Sequence, residues 1–237
     1  MSDNTIILND FKRKIEPTGV DLVSAALSYA ANDWNVIPVH SIREGQCTCQ
    51  KPDCSKAGKH ARIGNWSTEA SSDPQVVRAW FEKWPESNIA LLIGDEFCVL
   101  DVDRKAGGLE SLERYEREHG TIDRHGVQRS GSGGYHFWFA RPDGHIPTGV
   151  KGYPGLELRT GNNYVVVSPS VHKSGERYQW LHEPSPMSVG RDQVVLFTPP
   201  GQLLAIARGN PVRSRASAAA RRAPALTIAQ HIEKALG

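Results

Sequence analysis

Apolar and polar positions repeat with two periods along this chain, and the changes of period mark out its elements. In "TGVDLVSAALSYAAND", Val20, Val23, Ala26, Leu27 and Ala30 recur at helical spacing, with Thr18 and Asp21 placed as a capping pair. "WNVIPVHS" reads as a short strand. "SSDPQVVRAWFEKWP" predicts a helix: Asp73 suits the N-cap, Pro74 the first helical position, and Pro85 ends it. Its apolar face is Val76, Val77, Trp80, Phe81 and Trp84. "NIALLIG" and "FCVLDVD" are two strand-length apolar runs separated by Gly94-Asp95-Glu96, a spacing that predicts a β-hairpin. "GGLESLERYEREHG" predicts a helix with Leu109, Leu112 and Tyr115 inward and Gly120 as its stop.

Period 2 dominates the second half. "GVQRS" and "YHFWFA" flank a Gly/Ser turn, "GLELRT" and "NYVVVSPS" flank "GNN" as a further hairpin, "ERYQWL" is a last strand, and "TPPGQLLAIARG" is a closing helix. Helices and strands thus alternate in the first half, and the second half is strand-rich. The expected organisation is a lead-in over 1–17 and a globular domain over 18–207, with the aperiodic loop 43–65 inserted in it. A basic linker over 208–226 carries Arg208, Arg213, Arg215, Arg221 and Arg222, and a helix over 227–237 would start a further domain in a longer protein.

Composition adds little about partners. The 237 residues carry 28 Lys+Arg against 26 Asp+Glu, a net charge of +2. No run approaches the ~18 apolar residues of a membrane span, and "MSDNTIILNDFKRK" lacks the pattern of a signal peptide. A cytoplasmic protein with reduced cysteines is expected.

The candidate chemistry lies in three places. Asp101 and Asp103 end the run "FCVLDVD", and residues i and i+2 of a strand share a face. Two like charges side by side suit a divalent cation, Mg²⁺ or Mn²⁺; a strand end that opens to water suits them equally. Glu157, with Arg159 two residues on, faces away from Leu156 and Leu158 and could complete a carboxylate trio. In "QRSGSGGYHFWFA", Arg129, Ser130, Ser132, Gly133 and Gly134 precede His136 and suit a phosphate, although a flexible hairpin loop has the same composition. "CTCQKPDCSKAGKH" gives Cys47, Cys49, Cys54 and His60, a complete tetrahedral Zn²⁺ set, which is favoured over three clustered surface thiols. Cys98, within the apolar run, reads as a small buried hydrophobe.

Taken in order, "GNWSTEASSDPQVVRAWFEKWPESNIALLIG", "VLDVDRKAGGLESL", "RSGSGGYHFWF" and "GLELRTGNNYVVVSPSVHKSGERYQW" resemble the bifunctional DNA primase/polymerase family of plasmids and phages, within the archaeo-eukaryotic primase superfamily. The resemblance covers about residues 20–205. It implies an α+β fold of the archaeo-eukaryotic primase type, with an RRM-like catalytic subdomain packed on a smaller α/β subdomain. It implies Asp101, Asp103 and Glu157 (a position often Asp in the family) as ligands of two Mg²⁺ or Mn²⁺ ions, and His136 with its Ser/Gly turn as the nucleotide-phosphate motif. Arg159 and His172 look like parts of the same pocket. The implied substrates are a single-stranded DNA template and dNTPs or NTPs, with a replicative helicase as a further partner, and with bases stacked on aromatics such as Trp66 or Trp138. Two rivals remain: a non-catalytic DNA-binding replication module that recruits a helicase, and a D-x-D glycosyltransferase using a sugar nucleotide.

Overall fold

Two long strands organise the protein. A computed structural model describes residues 21–123, 126–182 and 199–210. In chain order these form α1 (Leu22–Ala31), β1 (Val36–Val39), β2 (Ile42–Arg43), β3 (Gln46–Cys47), α2 (Trp66–Glu69), α3 (Pro74–Lys83), β4 (Asn88–Val102), a 3₁₀ turn (Arg104–Ala106), α4 (Gly108–His119), β5 (Val127–Arg129), β6 (Tyr135–Ala140), β7 (Leu156–Val166), β8 (Gln179–Trp180) and α5 (Gly201–Ala207). The fold is mixed α+β, on a curled, wholly antiparallel sheet. No helix among the described residues is long and apolar enough to cross a membrane.

The two hairpins expected at Gly94-Asp95-Glu96 and at "GNN" do not form. β4 runs without reversal from Asn88 to Val102, and β7 lies antiparallel beside it from Val102↔Leu156 to Ala90↔Val166. Gly94 stands opposite Gly161, the ladder shifts register on either side of Gly94, and both glycines take positive φ (65° and 60°). The two turn signals are thus one paired bend in a double strand, which lets the sheet curl while the chain runs on.

The other edge of β4 is shared. β1 pairs with its first half, Val36↔Leu91 to Val39↔Asn88, and β6 with its second half, Phe97↔Ala140 to Val102↔Tyr135. β5 and β8 extend the sheet beyond β6.

Helix placement follows the apolar stripes. Asp21 caps α1 by accepting from the Val23 amide at 3.0 Å, so the cap is Asp21 itself. Asp73 caps α3 by accepting from Gln75 at 2.8 Å, with Pro74 in the first turn. Ala26, Tyr29, Val77 and Phe81 pack with Leu91, Ile93, Phe97 and Val99 of β4 into the main core. Of the expected α3 face, Val76 is exposed instead. The Tyr29 hydroxyl donates to the Ser168 carbonyl at 2.7 Å and accepts from Trp180 Nε1 at 2.7 Å, tying α1 to the far strands. On the alternate face Leu100, Val102, Phe137, Leu156 and Leu158 are buried, and α4 packs on β4 and β7.

The expected lead-in over 1–17, Thr18 and Val20, the linker beyond residue 210 and the 227–237 helix lie outside the described residues. Arg208, expected to open the linker, ends α5 and donates to the carbonyls of Asp143 and His145.

Trp138 is not a platform for bases. It is fully buried, set edge-on to Trp34 at 5.5 Å and near Phe97 and Trp180. Trp66 packs against Tyr164 at 4.7 Å. Trp138→Ala is expected to lower unfolding free energy by about 3–5 kcal/mol, as for other large core truncations. Urea denaturation reads it, and a loss below about 1 kcal/mol contradicts the packing role.

Candidate active site and metal centre

Where the helical cover of β4 stops, its apolar face turns polar. Asp101 follows Phe97 and Val99 on that face, opposite His136 of β6 on one side and Glu157 of β7 on the other. Gln128 of β5 stands opposite His136. Directly opposed residues share a face of the sheet, so Gln128, His136, Asp101 and Glu157 form one row across four strands.

Arg159 stands one step along β7 and closes the acid pair. Its Nε donates to Asp101 Oδ2 at 2.9 Å, and its Nη2 lies 2.8 Å from Asp101 Oδ2 and 3.1 Å from Glu157 Oε2. One cation therefore already sits between the two carboxylates. Asp103 lies just past the strand end. It caps the 3₁₀ turn, accepting from the Lys105 amide at 2.8 Å, while its own amide donates to the Gly155 carbonyl. Asp101 and Glu157 are brought together, with Asp103 at the flank.

The histidine tautomers follow from their partners. Gln128 is oriented by the Ser168 amide, which donates to its Oε1 at 3.1 Å, so its Nε2 donates to the Val166 carbonyl (2.7 Å) and to His136 Nδ1 (2.8 Å). His136 Nδ1 is thus an acceptor, and Nε2 carries the proton, 3.7 Å from Asp101 Oδ1. Burial holds its pKa below the usual value, against Asp101, which raises it; Arg159 and Lys59 lower it further. His172 repeats the pattern: the Ser174 amide donates to its Nδ1 at 3.2 Å. Burial, then Lys59, Lys173 and Lys105, lowers its pKa to about 4. Both rings are neutral near pH 7 and offer Nε2–H.

A cleft of about 540 Å³, within the range of small-ligand sites, opens between the 3₁₀ turn after Asp103, the 130–134 turn and the His172 segment. Arg104, Lys105, Arg129 and Lys173 line it with Ser132 and His172, and Glu176 is its one acid. Sequence reasoning named Arg129, Ser132 and His172 but missed Arg104, Lys105 and Lys173. Their only signal was adjacency to Asp103 and His172. The turn 130–134 shapes one wall. Gly133 and Gly134 donate their amides to Ser130, closing the turn on itself. A Cβ at Gly131 would stand 2.3 Å from His172 Cβ, and one at Gly134 2.1 Å from the Val102 carbonyl. Glycine here permits close packing of the turn against β4 and the His172 segment.

The second cluster is in the loop before α2. The donor atoms of Cys47, Cys49, Cys54 and His60 all lie within 4.8 Å of one another, with Cys47 Sγ 3.5 Å from His60 Nε2. Ligands at about 2.3 Å around a tetrahedral ion are roughly 3.8 Å apart, so the four fit one metal ion. The tight β2–β3 hairpin, which the aperiodic sequence did not announce, presents Cys47. The Lys51 amide beside Cys49 holds its thiol pKa down and burial lowers that of His60, both toward the ligating form, whereas burial raises that of the Cys54 thiol. Cys98 is buried in β4, as expected, and burial raises its pKa to about 12.

These pKa directions set an acid limit. His172 and His40, both lowered to about 4 chiefly by burial, stay neutral in the folded chain but protonate near 6.5 when it unfolds. The unfolded state then binds more protons between pH 6.5 and 4, so stability falls as pH drops through that window. Melting temperature measured across it is expected to decline, and His172→Gln to make the decline shallower; an equal slope in both proteins counts against the assignment.

No curated protein matches the chain. The family model for the bifunctional DNA primase/polymerase N-terminal domain matches residues 26–203. That match spans α1 to the start of α5 and holds both clusters, so the chain belongs to the bifunctional DNA primase/polymerase family.

Proposed function

We propose that this chain is a template-dependent DNA primase/polymerase that makes or extends short oligonucleotides by two-metal nucleotidyl transfer. The observation that carries the reading is the in-register pair Asp101 and Glu157, followed along the chain by Asp103 and then by Arg104 and Lys105, which line a cleft together with Arg129 and Lys173. A phosphate-binding cleft gains nothing from adjacent carboxylates unless a cation joins them. Arg159 bridging both acids supports the fit of that pair to a cation. Asp101, Glu157 and Asp103 would hold the Mg²⁺ or Mn²⁺ ions. When bound, such ions activate a 3′-hydroxyl and neutralise charge on the leaving pyrophosphate.

The chain's own residues do the rest in this reading. Arg104, Lys105, Arg129 and Lys173 hold the triphosphate, with Ser130, Ser132 and the turn Gly133-Gly134 shaping the wall. His136 and His172 donate from Nε2 to anionic oxygen. Arg159, no longer needed between the acids, pairs with phosphate. Cys47, Cys49, Cys54 and His60 hold one structural Zn²⁺. The catalytic domain runs over 18–207. Its RRM-like subdomain is the second half of the β4–β7 ladder with β5, β6 and α4, and its smaller subdomain is α1, β1 and α3 with the first half. Template and substrates are single-stranded DNA and dNTPs or NTPs, and a replicative helicase is a further partner.

The same Arg159 contact is compatible with a second reading. Arg159 neutralises the acid pair, as suits a non-catalytic DNA-binding module. A primer-free assay with single-stranded DNA, Mg²⁺ or Mn²⁺ and labelled dNTPs or NTPs separates the two. Incorporation is expected, and Asp101→Asn is expected to cut it by more than about a hundredfold, the scale of losing a group that fixes a metal. Wild-type DNA binding without incorporation supports the module. Purified chain is also expected to hold one equivalent of zinc by elemental analysis, and less than half an equivalent without chelator exposure counts against the structural site.

A further inference from the structure

Two stretches of the Cys/His loop pair with one segment of chain, residues 38–43. The first carries Cys47: β3 pairs with β2 through Ile42↔Cys47, and the Thr48 amide donates to the Ser41 carbonyl at 3.0 Å, one step further on. Cys49 follows directly, and the Gln50 amide donates to the Cys47 carbonyl at 3.0 Å, folding Cys47–Gln50 into a turn. The second stretch carries His60. The His40 amide donates to the His60 carbonyl at 2.8 Å, the Arg62 amide to the Pro38 carbonyl at 2.9 Å, and Ala61 bridges Val39. That antiparallel register sets His40 opposite His60, and their rings stack at 4.3 Å with planes 28° apart. Cys54 sits in a turn of its own, where the Ala57 amide donates to its carbonyl at 3.2 Å.

Thr48, between the two cysteines of C-x-C, joins these stretches through its side chain. Its Oγ1 accepts from the Ser41 amide at 3.1 Å and from Arg62 Nη2 at 2.8 Å. A hydroxyl has two lone pairs and one proton, so the proton is left for His40 Nδ1, 3.0 Å away. His40 then carries its own ring proton on Nε2. Arg62 is braced in turn against Trp84, its guanidinium carbon 5.6 Å from the ring centroid. One hydroxyl therefore links the turn that holds Cys47 and Cys49, the ring stacked on His60, and the side chain two residues beyond His60.

We propose that Thr48 is the positioning residue of the metal centre: through His40 and Arg62, its hydroxyl locks Cys47 and Cys49 against His60 in ligating geometry and so sets the affinity of the loop for Zn²⁺. The inference rests on the reading of the loop as a Zn²⁺ site. Hydrogen bonds that hold ligands in place tune metal sites as the ligands themselves do. The C-x-C spacing suits this role, because a single fixed side chain between two ligands orients both.

The test uses the full chain, stripped of zinc by chelation under reducing conditions and titrated back in competition with a chromophoric chelator. Thr48→Val keeps the shape of the side chain and loses the hydroxyl. It is expected to weaken Zn²⁺ binding about 10–100-fold, the scale of losing a group that supports a ligand. Thr48→Ser keeps the hydroxyl and recovers most of the affinity. Co²⁺ in place of Zn²⁺ reports the geometry: the thiolate-to-cobalt absorption is expected to change shape in Thr48→Val and to match wild type in Thr48→Ser, a readout that overall stability does not move. His40→Phe keeps a ring against His60 but removes the Nδ1 acceptor. It is expected to weaken binding in the same direction, and it carries the test if Thr48→Val does not fold.

Equal Zn²⁺ affinity in wild type, Thr48→Val and His40→Phe overturns the proposal alone. So does a Thr48→Ser variant as weak as Thr48→Val, or weaker binding with the Co²⁺ spectrum unchanged. Wild type that binds neither metal overturns this inference together with the reading of the loop on which it rests.

Discussion

The register of β4 against β7 is the constraint from which the site follows. Asp101 meets Glu157 because Val102 meets Leu156 and Leu100 meets Leu158. Those four side chains are buried on the opposite face. A slip by one residue would turn Glu157 into that core and a leucine into the acid row. The apolar face therefore fixes the register, and the register fixes the chemistry. The opposed glycines Gly94 and Gly161 reinforce this, since a bend shared by two strands fits only one alignment.

Charge is balanced locally around the row. Two carboxylates on adjacent strands would repel, and Arg159 offsets this. A protonated His136 would add a third charge in a buried position. Gln128 prevents this by occupying Nδ1 with a donor, and Gln128 is itself held by Val166 and Ser168. The buried amide thus selects a neutral ring with its donor on the Asp101 side. His172, with the Ser174 amide on Nδ1, does the same from a loop.

Local signals were legible in the sequence and non-local pairing was not. The helices at Leu22–Ala31, Pro74–Lys83 and Gly108–His119 came from periodicity and caps, because both act within a few residues. The D-x-D of Asp101 and Asp103 and the Cys/His set were legible as residue types in a spacing, whereas the meeting of Asp101 with Glu157 depends on strand pairing. The hairpins failed because a glycine after an apolar run marks positive φ, and a bend uses positive φ as readily as a reversal. Which it becomes depends on whether a partner strand continues alongside, and β7 does. Trp138 was misplaced because alternation puts it on His136's face, and only the packing of α1 and α3 shows where that face stops being polar. Arg104, Lys105 and Lys173 were invisible as a group because three exposed cations from two loops look like solvated surface until the fold gathers them.

Burial of Asn88 joins the two ends of the architecture. It begins β4, whose other end carries Asp101. Its amide bonds both Gly58 in the Cys/His loop and Val171 beside His172. One residue on, the Ile89 amide and carbonyl are both bonded by the Ser170 hydroxyl. An aperiodic loop of this length has little local reason to order. Detaching it would leave a buried amide hydrogen without a partner, at a cost of about 1–3 kcal/mol. The loop and the His172 segment are therefore held together more firmly than their own exposed residues require, and by the same strand that presents the acids.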